Sequence, residues 1–355
     1  MDASTGEAVT ARPDLVVGSR TIPPASRCDL LLQVSETYVG DRTAIPVTVL
    51  NGARPGRRLF VTAAVHGDEL NGIGIVRALL SQIDPQDLAG ALVCVPMVNV
   101  LGVQFHSRYL PDRRDLNRSF PGSPTGSTAS RIADTIMREV VAGSDAGIDL
   151  HTAANRRVNL PQVRTSLRAE RSRVLGRAFG APFLIDADRR GGSLRDAADR
   201  AGVPVLTFEG GQALVFEDEV IAVGVTGVLR VMGALGMIDA PPPAPAQPPV
   251  ESDETHWVRA ERGGILDLHV GPGETVEVDQ PLWSVTSPFG HERSQKTSPW
   301  AGAVIGMTTL PLVNPGDAVL HLAVPGHHDH PSSDEPTDEE YEADEDEAHE
   351  PPVGG

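Results

Sequence analysis

Lysine is almost missing from this chain of 355 residues; Lys296 is the only one. Any anion held in a pocket must therefore meet arginine, whose planar fork suits a carboxylate. Cysteine is nearly as scarce. Cys28 and Cys94 fall in different predicted elements, and Cys94 stands inside an apolar run, so a small buried thiol is expected rather than a disulfide. No stretch approaches the roughly 18 consecutive apolar residues of a membrane span. The start, Met1-Asp-Ala-Ser-Thr-Gly-Glu, lacks the basic head and apolar core of a secretory signal, which makes a cytoplasmic location the default expectation.

The length and a hydrophobic content of 40 % suit two domains with a sizeable core. The net charge of −18 is unevenly spread, because residues 327–355 hold twelve acidic side chains and no Lys or Arg, which leaves about −6 for the rest. A mildly acidic body argues against nucleic acid and says little about a small substrate. The tail, nearly free of apolar residues, is expected to stay disordered; its His327, His328 and His330 fit a solvated segment better than a metal site.

Read in order, residues 1–28 form a polar, Pro-bearing extension. Asp29-Leu-Leu-Leu-Gln-Val and Ala44-Ile-Pro-Val-Thr-Val-Leu50 predict an opening hairpin. Arg58-Leu-Phe-Val-Thr-Ala-Ala-Val65 and Ala91-Leu-Val-Cys-Val-Pro-Met-Val98 have the continuous apolar character of strands covered on both faces, with a helix from about Glu69 to Gln82 between them. The stretch from Asn99 to Gly126 is rich in Arg, Asp, Pro and Gly and reads as a long loop of the functional kind. Helical spacing returns over Ser127 to Val141. Ala146-Gly-Ile-Asp-Leu150 is a short strand ending at His151, followed by a polar loop to about Ser166 and a helix near Ala169 to Phe179. Gly202 to Phe208 predicts a further strand, ending at Glu209 before Gly210-Gly211, and Glu217 to Leu235 a closing helix. A Pro-rich linker at 241–254 leads to a small β-domain at 255–325, in which Gly264-Ile-Leu-Asp-Leu with Pro272-Gly-Glu-Thr-Val is echoed by Gly302-Ala-Val-Ile-Gly with Pro315-Gly-Asp-Ala-Val.

Three strands thus deliver His66, His151 and Glu209 at their carboxyl ends, where open α/β sheets hold ligands. His66 and Glu69, three apart at a strand-to-helix switch, can converge on one point. The same spacing also suits an acidic first turn at a positive helix end beside a solvated imidazole. A catalytic zinc needs three protein ligands and an open position, and His66, Glu69 and His151 supply one of the standard sets. Asp149, two residues before His151 on a strand, points to the same face and can orient the ligand ring; a buried capping carboxylate is the plainer alternative. Glu209 can act as base and then acid, and Arg108 can face a developing oxyanion.

His66-Gly-Asp-Glu69, Arg108 with Asp115-Leu-Asn-Arg-Ser-Phe-Pro-Gly122, Asp149-Leu-His-Thr152 and Phe208-Glu-Gly-Gly211 together resemble the succinylglutamate desuccinylase/aspartoacylase family, relatives of zinc carboxypeptidases. The resemblance runs from about Asp29 to Val324. It implies an α/β fold, a mixed-sheet α/β/α zinc-carboxypeptidase-like domain over 29–240, with a small all-β barrel-sandwich (lipoyl-like) domain behind it. It implies one Zn2+ per chain on His66, Glu69 and His151, Glu209 as general base and acid, and Asn117 and Arg118 as a carboxylate-binding pair. Arg108 would assist, and Arg164, placed in the loop after His151, would add a substrate contact. Aspartoacylases also use tyrosines around the substrate; with only Tyr38, Tyr109 and Tyr341 present, Tyr109 is the sole candidate. The implied activity is a zinc-dependent amidohydrolase removing acetyl, succinyl or a similar group from an N-acyl amino acid or related small carboxylate. The implied partner is that small N-acylated substrate, with no nucleic acid and no membrane; homo-oligomer formation is left open. Two other readings compete: a zinc carboxypeptidase acting on a peptide, and a non-catalytic metal-binding or lipoyl-like carrier protein, for which Lys296 stands in the wrong place, beyond the hairpin tip near Phe289-Gly290.

Overall fold

The computed structural model describes residues 12–36, 40 and 42–324, so the acidic tail with its histidines, Tyr38 and Tyr341 lie outside the described residues. The chain divides into two units, Met1–Glu251 and Ser252–Gly355. The first unit runs through β1 (Leu15–Val17), β2 (Arg20–Ile22), β3 (Ser26–Glu36), β4 (Arg42–Asn51), β5 (Arg54–Ala63), α1 (Asn71–Leu80), β6 (Ala89–Val95), α2 (Val100–Phe105) and α3 (Thr128–Ile136). It continues with β7 (Ala146–His151), β8 (Arg157–Thr165), α4 (Glu170–Phe179), β9 (Phe183–Asp186), α5 (Leu194–Arg200), β10 (Val205–Gln212) and α6 (Asp218–Ala234), with β11 (Val250–Ser252) at the boundary.

One mixed sheet organises this unit in the order β9-β8-β10-β7-β5-β6-β4-β3. The central strands β10, β7, β5 and β6 are parallel; β8 runs antiparallel to β10 and parallel to β9, while β4 runs antiparallel to β6 and β3 to β4. The apolar runs of β5, β6 and β7 are buried along both faces, as a parallel sheet covered by helices requires. Alternate residues serve two cores. Val61, Ala63, Ile148, Leu150, Leu206 and Phe208 pack against α1, α4 and α6, whereas Phe60, Val93, Val95 and Val205 face α3, α5 and the opening hairpin. Each such buried aliphatic or aromatic side chain stabilises the fold by about 1.5–3 kcal/mol, which fixes the register of every strand that carries the site. Among the described residues no helix is long and apolar enough to cross a membrane.

The structure departs from the sequence reading at several places, among them β9 and α5, which the sequence reading does not place. The polar extension contains the β1–β2 hairpin, whose Val17 and Ile22 are buried. The helix expected from Glu69 begins at Asn71, so Glu69 sits in the turn before it. The segment from Asn99 to Gly126 is not structureless, since it holds α2, capped by Asn99, and a 3-10 turn at Leu116–Arg118 capped by Asp115. The polar loop after His151 is largely the strand β8, and with it Arg164 lies on a strand rather than in a loop. Its apolar pattern is broken by Pro161, which is tolerated because the β8–β10 register shifts between Glu209 and Gly211, and a bulge has no ladder bond at that point to lose. Finally, β10 runs on to Gln212, so Glu209 lies within the strand.

The second unit is all-β: β12 (Glu254–Arg259), β13 (Gly264–Leu268), β14 (Thr275–Val276), β15 (Pro281–Thr286), β16 (Glu292–Thr297), β17 (Gly302–Thr308), β18 (Leu312–Val313) and β19 (Ala318–Val324). β12, β19, β17 and β14 form one antiparallel layer and β16, β15, β13 and β18 another, around Val258, Leu282, Trp283, Val285, Val304 and Leu320. The two sequence echoes begin β13 and β17, one in each layer. Lys296 sits on β16 opposite Trp283 and is paired with Glu261 at 2.6 Å.

Candidate metal centre

The site is assembled at the carboxyl end of three adjacent parallel strands. β7 ends on His151, and in register beside it on β10 stands Glu209, so the two side chains leave the same face of the sheet. Two residues earlier on that face, Asp149 aligns with Thr62 of β5 and Thr207 of β10. Past Ala63, β5 leaves the sheet through Ala64 in the left-handed region (φ 51°), with the Ala63 and Ala64 carbonyls taken by the Val98 and Asn99 N–H groups. The next turn packs so tightly on α2 that a Cβ on Gly67 would lie 2.0 Å from the Gly102 carbonyl carbon, which only glycine permits. This close approach delivers His66 and Glu69 over the end of β7.

His66, Glu69 and His151 are buried, and their ligand atoms all lie within 4.8 Å of one another. Both imidazoles turn Nδ1 to the carboxylate: His66 Nδ1 is 2.6 Å from Glu69 Oε1 and His151 Nδ1 is 2.7 Å from Glu69 Oε2. Their far nitrogens face other carboxylates. His151 Nε2 is 2.8 Å from Asp149 Oδ2, and Asp149 Oδ1 accepts the Thr62 hydroxyl at 2.6 Å. His66 Nε2 lies 3.3 Å from Asp115 Oδ1, within ion-pair distance though off the axis of a good hydrogen bond. Two imidazoles with near nitrogens converging on one carboxylate and far nitrogens backed by acids are the donor set of a divalent-cation site. The residues therefore fit a metal ion.

The electrostatics agree. Burial, followed by the nearby Arg108 charge, would lower the pKa of His66, yet Glu69 and Asp115 outweigh them and raise it. Burial also opposes the charge on His151, and Asp149 with Glu69 lifts its pKa well above the ordinary value. Glu69 is disfavoured by burial but held far below the usual carboxylate range by the two imidazoles. Asp115 is likewise kept low against burial, by His66 and Arg108. Asp68 goes the other way: burial and the Glu69 charge push it up to about 6. Without an ion the pocket gathers protons on its histidines to balance its acids, which is the work a divalent cation would take over.

Around this core, Arg108 brings Nη1 to 3.4 Å from Glu69 Oε1 and Nη2 to 3.6 Å from Asp115 Oδ2. Half-buried Tyr109 follows it, its backbone N–H on Ser107 Oγ. Asn117 accepts the Leu194 N–H at 3.0 Å, joining the Asp115 turn to the start of α5, and Arg118 donates to the Asn117 carbonyl at 2.8 Å. Arg164 stands opposite Thr207, in the same row of the sheet as Asp149. Glu209 is half-buried, and one of its oxygens accepts from Asn159 Nδ2 at 3.3 Å. Sequence reasoning assigned nothing to Asp115 or Asn159. Asp115 carries a signal, as a capping residue type ahead of Leu-Asn-Arg; Asn159 carries none, because the sequence of β8 predicts a loop.

The profile of the succinylglutamate desuccinylase/aspartoacylase catalytic domain matches residues 55–235. Over 253 residues the chain is 32 % identical to the N-α-acetyl-L-2,4-diaminobutyric acid deacetylase of Halomonas elongata, a match that takes in 67 % of this chain and 72 % of that protein. The product-bound ectoine utilization protein of Ruegeria pomeroyi shares the fold with a TM-score of 0.76 at 24 % identity, over 90 % of this chain and 100 % of that one. The succinylglutamate desuccinylase/aspartoacylase of Rhodobacter sphaeroides superposes with a TM-score of 0.75 at 25 % identity, over 85 % of this chain and 96 % of that one.

Proposed function

The chain belongs to the succinylglutamate desuccinylase/aspartoacylase family of amide hydrolases, and from that premise we propose that it removes a short acyl group from the nitrogen of an amino acid or similar small carboxylate. The observation that carries the reading is the buried convergence of His66, Glu69 and His151 with Glu209 in register beside His151. In the proposal the three residues hold one divalent ion, zinc by the chemistry of a His, Glu, His set. When bound, such an ion supplies Lewis acidity to a carbonyl oxygen and eases deprotonation of water.

The chain's own residues do the rest. Glu209 takes a proton from the attacking water as its oxygen bonds to the acyl carbon, then passes that proton to the departing amine nitrogen as the C–N bond breaks. The acyl group leaves as a carboxylic acid, which gives its remaining proton to the released amine or to solvent. Arg108 keeps a fixed positive charge beside the cluster, where the oxyanion develops. Asn117 and Arg118 grip the substrate carboxylate, with Arg164 and Tyr109 as further contacts. Asp115 and Asp149 act behind the histidines, holding the ring orientation that ligation needs. The finer reading of the C-terminal unit as a lipoyl-like barrel-sandwich rests on its two echoed halves, whose first strands β13 and β17 stand in different layers.

The test is a screen of N-acetyl and N-succinyl amino acids and diamines, with and without chelator, beginning with N-α-acetyl-2,4-diaminobutyrate, the compound that names the Halomonas relative. Chelator-sensitive release of free amine from at least one of them is expected. Absence of hydrolysis across the panel in metal-loaded protein would remove the proposal.

A further inference from the structure

Outside the residues that receive a role above, one buried polar cluster stands against the site. Asn71, the first residue of α1 and fully buried, lies two positions after Glu69. Its Oδ1 accepts the Glu217 N–H at 2.8 Å, and its Nδ2 donates to Glu217 Oε2 at 2.9 Å and to the Gly210 carbonyl at 3.3 Å. Glu217 Oε2 also accepts the Gln212 N–H at 2.7 Å. One amide and one carboxylate therefore bracket Gly210, Gly211 and Gln212, the three residues that follow Glu209.

The bracketed segment is not ordinary strand. Gly211 has φ 77°, and a Cβ there would lie 2.0 Å from Glu217 Oε2 and 2.5 Å from Asn71 Nδ2. The β8–β10 register shifts at the same place, with Leu160 and Pro161 of β8 facing the single residue Gly210. A bulge redirects the neighbouring side chain, and left alone it would relax, because its ladder hydrogen bonds are missing. Here side chains brace the segment: the Gly210 carbonyl accepts from Asn71 and the Gln212 N–H donates to Glu217.

We propose that Asn71 and Glu217 are positioning residues that hold the glycine segment beyond Glu209, opposite the β8 bulge, against the first turn of α1, and so fix the carboxylate of Glu209 relative to the segment carrying His66 and Glu69. This rests on the proposed role of Glu209. Asn71 and Glu69 share one short stretch of backbone, so the pair ties the proton-transferring half of the site to the metal-holding half across 146 residues of sequence. Glu217 Oε2 acts only as an acceptor in this geometry. A glutamine can offer the same acceptor, whereas alanine cannot.

The experiment is a double-mutant cycle on metal-loaded protein with a substrate found in the acyl amino acid screen. E217A and N71A should lower kcat by about ten- to a hundredfold, the scale of a misplacement near an ångström, with KM within about twofold and metal content by elemental analysis unchanged. E217Q should recover most of the loss. In an E209Q background the same N71A or E217A substitution should change the residual rate by less than about twofold, because the group being positioned is gone. Should N71A fail to fold, the E217A and E217Q pair carries the comparison. An equal loss from E217A in the wild-type and E209Q backgrounds, or wild-type kcat in E217A, would overturn the inference. If E209Q itself kept wild-type turnover, the proposed role of Glu209 would fall instead, a result this cycle separates from the first.

Discussion

Removing Asp149 should weaken the proposed metal centre without touching any of its proposed ligands. Asp149 is buried, holds His151 Nε2 at 2.8 Å with one oxygen and accepts Thr62 with the other. Holding Nε2–H there leaves Nδ1 unprotonated and aimed at the ion. In D149A both the tautomer and the ring angle lose their support, and outer-sphere losses of this kind typically cost 10–100-fold in affinity, about 1.4–2.7 kcal/mol. D149N should lie at the low end. Its carbonyl oxygen can still face His151 while the amide donates to Thr62, whose hydroxyl can rotate to accept. The deficit should also depend on pH. Asp149 is the largest of the contributions that lift the pKa of His151, outweighing the opposing effect of burial, so in the wild type the ion must displace a tightly held proton. The variant has less proton to displace, and its disadvantage should therefore shrink towards pH 6 and grow towards pH 9. Competition with a chromophoric chelator across that range measures both effects. Equal affinity of folded D149A and wild type at pH 9 would refute the reasoning.

Other outcomes follow from the same geometry. E209Q should keep its metal and lose about 10²–10⁴-fold in kcat, the range of a positioned acid–base group; elemental analysis with steady-state kinetics would expose an error as near wild-type turnover. H66A should lose the ion, since two ligands remain of three, and a full metal equivalent after dialysis would contradict the site. Because the pKa values of His66 and His151 are both raised in the ion-free state, ion binding at neutral pH should release protons and tighten as pH rises. Calorimetry in two buffers of different ionisation enthalpy reads that release, and identical heats would deny it. G211A should destabilise by more than about 1–3 kcal/mol, because the left-handed backbone and the contact with Glu217 act together; an unchanged denaturation midpoint would show that the bulge relaxes freely.

Local sequence was sufficient for whatever depends on burial along one element. The run Ala91–Val95 is apolar throughout and Leu59–Ala63 is apolar but for Thr62, because helices cover both faces of those strands. Helices α4 and α6 stand within a residue or two of their predicted limits because their apolar spacing and flanking residues act within a few turns. That His66, Glu69, His151 and Glu209 come from strands or the turns just after them was legible for the same reason, although Glu209 stands inside β10 rather than at its end. β8 was not, because its site-facing residues Asn159, Gln162 and Arg164 are polar and Pro161 interrupts it, so its burial comes from the neighbours β10 and β9 rather than from its own pattern.

The chain by itself determined which side chains reach the carboxyl end of the sheet, since strand period and turn chemistry are local properties. The folded structure decided which of them meet. The order β10-β7-β5 sets Glu209 beside His151 and brings the His66 turn over both, and the return of the Asn99–Gly126 segment lays Asp115 behind His66. Asn71 reaches Glu217 only because α1 and α6 pack on the same face. Hydrogen bonds and ion pairs act over a few ångströms, and no periodicity in a sequence encodes which distant segments the sheet will bring that close.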